Sequence, residues 1–172
     1  LRILKKLSGG NLLFKMGAKI FDYYIFIDYS VDYLGYLIIE KEKIKEFLPK
    51  ISKFSHYREL KYKRAYLNSI RKIVEKNNLR SYLCKLKIKK TEATPEIYAD
   101  ILEFLKKHDN CLIFICVDDK QFRNFNKLVH IIGGKNIKVI KESKLKKHTI
   151  EYKINLVLDT LLNLARLKND KF

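Results

Sequence analysis

Residues 111–117, CLIFICV, are apolar without interruption, and a strand of this kind has no face that it can show to water. It belongs in the middle of a sheet covered on both sides. Helices are therefore needed on two faces, and the rest of the chain supplies them. Residues 22–28, DYYIFID, are aromatic and β-branched and read as a buried strand ending on a carboxylate; 33–40, YLGYLIIE, read as a second. The short SVD between them predicts an antiparallel hairpin, although it lacks the Asn-Gly signature of the tightest turns. Residues 82–89 alternate as a third strand, and 137–143 form a further one. Helical spacing of apolar residues runs through 41–53, interrupted by Pro49, and through 58–76 and 150–167. Thr94-Pro95-Glu96 opens a helix to about His108, and Gly133-Gly134 stops another that begins near 121. The expected fold is α/β, a mixed sheet with an N-terminal antiparallel hairpin and flanking helices. With no linker, repeat or low-complexity tract, residues 21–172 read as a single domain, and residues 1–20 as a basic N-terminal extension ahead of it. Whether the segment before Met16 is a native arm or an alternative-start extension is open.

Charge narrows the partner. The chain carries 37 Lys and Arg against 19 Asp and Glu, a formal charge of +18, within 172 residues that are 47% apolar. An excess of this size repels itself in the folded state, and a polyanion offsets the repulsion; nucleic acid, DNA or RNA, is the expected partner. A Lys-rich solvated surface would explain the lysines equally, but acids would then rise with the bases, as in ion-pair networks. No apolar run approaches the roughly 18 residues of a membrane span, and residues 1–15 lack the apolar stretch of a signal peptide. Cys84, Cys111 and Cys116 are odd in number, sit among apolar neighbours and lack C-x-x-C spacing. They read as small buried hydrophobes of a reducing, cytoplasmic compartment, neither a disulfide framework nor a zinc site. Self-association is left open.

The informative charges are the few acids in apolar surroundings, where an unpaired carboxylate is costly. Asp28 ends one strand; Asp118 and Asp119 follow another; Asp159 lies inside LVLDTLL of the last helix; Glu59 begins the 58–76 helix amid lysines and arginines. Acids converging at strand ends repel one another unless a cation lies between them, and hard oxygen ligands suit Mg²⁺ or Mn²⁺. Two such ions activate water and stabilise the leaving oxygen of a phosphodiester. Asp28, Glu59, Asp118 and Asp159 are thus the candidate catalytic residues and metal ligands. Plainer roles stand beside these. Asp28 could cap a turn, one of Asp118 and Asp119 could cap a helix or pair with a lysine, and Glu59 could answer the helix dipole.

Arg58, Lys61, Lys63 and Arg64 surround Glu59, interleaved with Tyr57, Tyr62 and Tyr66, and offer charge for phosphates and flat faces for bases. Lys144, Lys146 and Lys147 form a second basic cluster before the last helix. An ordinary solvated helix face with snorkelling tyrosines explains the first cluster equally well. His56, His108, His130 and His148 have no metal-ligand spacing, and only His148 stands near the expected site.

The order strand–Asp, hairpin, Glu-bearing helix, strand–Asp and final helix with an inward Asp resembles the ribonuclease-H-like superfamily. It is most similar to the branch of small prokaryotic and viral proteins that opens with a strand and Asp-Glu-Ser-Gly. The corresponding residues are Asp28 with Ser30, Glu59-Leu60-Lys61, Asp118, and Ser143 with Asp159. Tyr29 and Val31 stand where that motif has Glu and Gly, and Asn-Leu-Val-Leu-Asp replaces the usual Gln-Leu-Ala-Asp. The resemblance implies a metal-dependent nuclease. A catalytically silent nucleic-acid-binding module of the same fold is the alternative. IDYSVD and VDDKQF also resemble motifs of PIN-domain nucleases, which pass from their first Asp directly into a helix.

Overall fold

In a computed structural model, residues 21–132 and 136–169 are described; the basic extension 1–20 and the Gly133-Gly134 helix stop lie outside them. Five strands form one sheet: β1 (Tyr23–Ser30), β2 (Tyr33–Glu40), β3 (Lys85–Lys90), β4 (Cys111–Ile115) and β5 (Lys138–Lys141), in the order β3-β2-β1-β4-β5. The β1–β2 and β2–β3 pairs are antiparallel, while β1–β4 and β4–β5 are parallel. The sheet is therefore mixed and opens with the antiparallel hairpin that the sequence predicts. The helices are α1 (Lys41–Phe47), α2 (Lys63–Lys76), α3 (Thr94–Lys107), α4 (Asp119–Ile132) and α5 (Ile150–Asn169). Pro49 does interrupt the first of them, which gives way to a 3-10 turn over Leu48–Ile51.

The uninterrupted run becomes β4, buried along its whole length between two layers. Alternation along the strands divides the core. Tyr24 and Phe26 of β1, Leu37 and Ile39 of β2, and Leu112 and Phe114 of β4 pack with α1, α2 and α5. Ile25 and Ile27, Leu34 and Ile38, and Ile113 and Ile115 face α3 and α4. Asp28 has the parity of Tyr24 and Phe26, so it lies on the α5 side. Opposite it in β2 stands Gly35. A Cβ there would come within 2.9 Å of Ile88 Cγ1 and 3.2 Å of Leu158 and Leu162 methyls, so the missing side chain lets α5 lie close to the strands beside Asp28.

Several element boundaries differ from the sequence reading, two of them for a clear local reason. The helix expected from 58 begins at Lys63; Tyr57–Glu59 is a separate 3-10 turn, capped by the His56 side chain, which accepts from the Arg58 N–H at 3.2 Å. β4 ends at Ile115, because Asp118 starts α4: its Oδ1 accepts from the Gln121 N–H at 2.8 Å, and its carbonyl accepts from Phe122. The hairpin turn places Val31, 69% exposed, at φ 53°, a left-handed conformation that a β-branched residue adopts only at a cost. Among the described residues, no helix is long and apolar enough to cross a membrane.

Candidate metal and nucleic-acid site

Strands β1, β4 and β5 run parallel, so their carboxyl ends share one edge of the sheet, the usual place for a site in an open α/β fold. Ile27 pairs with Ile115, and Ile115 with Lys141. One residue further along each chain come Asp28, Cys116 and Glu142. The register continues that far, since the Cys116 N–H donates to the Ile27 carbonyl at 3.0 Å. These three side chains form a rung across the sheet edge, with a carboxylate oxygen, a sulfur and a carboxylate oxygen all within 4.8 Å of one another.

The rung is electrostatically tense. Asp28 is 6% exposed. Burial first, then the negative charge of Glu142 and, less strongly, that of Asp159 push its carboxyl up to about 7, although its Oδ1 accepts from the Tyr29 N–H at 2.7 Å. The Cys116 thiol lies within hydrogen-bonding reach of both carboxylates. Burial and their charges hold its proton on far more tightly than in a free cysteine. Glu142 is oriented from behind by buried Asn155 of α5, whose Nδ2 donates to Oε1 at 2.7 Å; the Asn155 Oδ1 is buried without a hydrogen-bond partner.

Asp159 approaches from the middle of α5. Its Oδ2 accepts from the Tyr57 N–H at 3.1 Å, and its Oδ1 from the Asn163 amide at 3.1 Å. Asn163 in turn accepts from the Ser30 hydroxyl at 3.4 Å, so a polar chain ties the end of β1 to α5. His56 Nδ1 lies 4.0 Å from the same Asp159 oxygen.

The structure thus places Asp28 and Asp159 on one side of the sheet, close enough for the Asp159 charge to help raise the Asp28 pKa. The remaining two predicted acids are differently engaged. Asp118 is exposed and caps α4, while its neighbour Asp119 pairs with Lys141. Glu59 is exposed and pairs with Lys147 at 2.8 Å, which joins the two basic clusters through one ion pair. Arg58, Lys61, Lys63, Arg64, Lys144, Lys146 and Lys147 are all exposed. Of the tyrosines, Tyr66 is committed to Ser55 and Thr160 through its hydroxyl, and Tyr57 carries Lys63 and Arg166 over its ring. Tyr62 alone of the three is largely exposed, at 71%. His148 is exposed, whereas His56, which has no telling spacing in the sequence, sits beside Asp159.

Cys116 and Glu142 were not singled out by sequence reasoning. No local pattern marks them: Cys116 lies inside the apolar run 111–117 and Glu142 follows Lys141, and the register of the parallel strands is what brings both beside Asp28. Cys84 and Cys116 also depart from the expectation of buried hydrophobes, since Cys84 is exposed and Cys116 belongs to the rung; Cys111 is buried.

The fit to a cation can be judged from the donors. Two carboxylates and a thiol converge with no basic side chain among them, and the repulsion that burdens Asp28 is what a divalent cation would relieve. Asp28 and Glu142 suit such an ion; Asp159 lies outside this group but near enough for its charge to act on Asp28.

No family model matches the sequence, and no curated protein matches it either. Solved structures do match. The chain is similar to the ribonuclease H2 from Pyrococcus horikoshii OT3, at 14% identity and a TM-score of 0.53, over 85% of this chain and 72% of that one. The fold is ribonuclease-H-like. The hairpin that follows Asp28, where a PIN domain would enter a helix, agrees with this.

Proposed function

We propose that this ribonuclease-H-like fold serves a nuclease that hydrolyses phosphodiester bonds of DNA or RNA with a divalent cation, Mg²⁺ or Mn²⁺ being the expectation from the sequence. One observation carries the reading: two carboxylates, Asp28 and Glu142, meet at the carboxyl ends of parallel strands, with Asp159 of α5 close enough for its charge to act on Asp28. Asp28 and Glu142 would hold the cation, with Asp159 completing the acidic face. The bound ion supplies Lewis acidity at the phosphate and a more acidic water. The chain's own residues do the rest. Tyr57 N–H and the Asn163 amide fix the Asp159 carboxylate, and His56 beside it, its Nδ1 accepting from the Arg58 N–H, would hold or deliver a proton through Nε2. Lys144, Lys146 and Lys147 with Arg58, Lys61, Lys63 and Arg64 would bind flanking phosphates, and Tyr62 offers a face for a base.

A binding module without catalysis is the second reading, favoured by the engagement of Asp118 in a helix cap and of Glu59 with Lys147. An assay of labelled single-stranded RNA, single-stranded DNA, duplex and hybrid with Mg²⁺ or Mn²⁺ separates the two. Cleavage that vanishes in chelator and falls at least about 100-fold in Asp28→Asn is the expected result. Retardation of the same substrates without cleavage would establish the binding module.

A further inference from the structure

The rung holds a sulfur where a Mg²⁺ site would hold only oxygen. Mg²⁺ takes near-octahedral oxygen and keeps much of its water, whereas a thiolate favours Zn²⁺ and its neighbours in the transition series. Zinc sites that carry out chemistry use three protein ligands and leave a fourth position open, and the rung offers three: Asp28, Cys116 and Glu142. Bonds of about 2.0–2.3 Å put tetrahedral donors roughly 3.5 Å apart, so atoms already within 4.8 Å reach ligation by small side-chain adjustments. A supporting shell is also present. Asn155 holds Glu142 by its Nδ2 and keeps a buried Oδ1 without a protein donor. Reversing that amide would set oxygen against carboxylate, so Glu142 fixes which atom is left over. That acceptor, on a side chain that touches Glu142, is one that water or another ligand could satisfy.

Resting on the reading of the rung as the cation site, we propose that it selects a borderline ion of the Zn²⁺ or Co²⁺ class over Mg²⁺, with Cys116 Sγ as the discriminating ligand. Binding releases the thiol proton to solvent and forms one metal–sulfur bond, with no change of oxidation state.

The test titrates Co²⁺ into full-length protein carrying Cys84→Ser, which removes the exposed thiol. A near-ultraviolet thiolate-to-cobalt charge-transfer band is expected, absent in the additional Cys116→Ser variant and bleached when Zn²⁺ displaces cobalt. Calorimetry should show Zn²⁺ affinity falling by roughly a hundredfold or more in Cys116→Ser, with Mg²⁺ affinity unchanged. Cys116→Asp, an independent replacement, should shift the preference toward Mg²⁺. A cobalt spectrum without that band, or a band that survives Cys116→Ser, overturns the proposal. If Mg²⁺ supports equal cleavage by wild type and Cys116→Ser while cobalt shows no sulfur bond, selectivity falls and the nuclease reading stands. If no divalent ion binds, the selective site falls together with the cation-dependent reading.

Discussion

Asp28 is asked to be both buried and charged. An acid raised from its ordinary 3.8 to about 7 by folding is best tolerated protonated, so its contribution favours the fold below about pH 4 and is lost as the pH climbs through 7. The loss corresponds to on the order of 4 kcal/mol without a cation. Asp28→Asn keeps an oxygen for the Tyr29 N–H and should stabilise the chain by a few kcal/mol at pH 8 in chelator, with the gain vanishing near pH 4. Urea melts at the two pH values measure it, and an equal effect at both would refute the electrostatic cause. Val31 is a second costly residue. Its φ of 53° is the conformation that glycine adopts freely, so Val31→Gly should raise stability by about 1 kcal/mol, read as a higher melting temperature. The position where the resembled motif carries glycine is thus one where this chain's backbone would favour it. Asp28 was visible in the sequence because an acid closing the apolar run YYIFI stands out, even though a turn cap would also account for it. Cys116 was not, because its type matches the apolar run that holds it, and only register reveals its neighbours.

Among elements, α5 and the hairpin are coupled through an absence. Gly35 gives Leu158 and Leu162 the room that keeps α5 against the strands, and α5 carries Asn155, Asp159 and Asn163 on adjoining turns. Gly35→Ala should therefore act against its intrinsic benefit of a stiffer unfolded chain, costing about 1–3 kcal/mol through overpacking. It should also lower cleavage more than substrate binding, since it displaces the acidic face and leaves the basic clusters in place. Denaturant midpoints and a split of kcat from KM check the two halves. The element order itself was legible from periodicity: the hairpin and the two-faced strand specify a mixed sheet with helices on both sides. Boundaries were less so. Asp118 reads as the end of a strand until the competing demand for a cap on α4 is seen, and Glu59 reads as helical until the His56 cap isolates its turn. The parallel pairing of β5 with β4, which brings Glu142 to the rung, depends on contacts that no local pattern encodes.

For the whole molecule, a net charge of +18 makes any nucleic-acid affinity strongly dependent on salt. Lys144→Ala with Lys146→Ala should weaken binding to all sequences alike and reduce the slope of log affinity against log salt by about 2. Fluorescence anisotropy across a salt series checks this, and an unchanged slope would move the interface elsewhere. Lys147 is left out because Glu59 already holds it. Not every lysine need serve such an interface, however. The two outer strands, β3 and β5, read KLKIKK and KVIK, and among the described residues each leaves one backbone edge without a partner strand. Lysines spaced along an open edge make the approach of a second sheet repulsive, and Lys87 is further held by Glu96 and Asp100. Part of the positive excess would therefore act against extension of the sheet, with its nearly all-apolar centre, into a neighbour's.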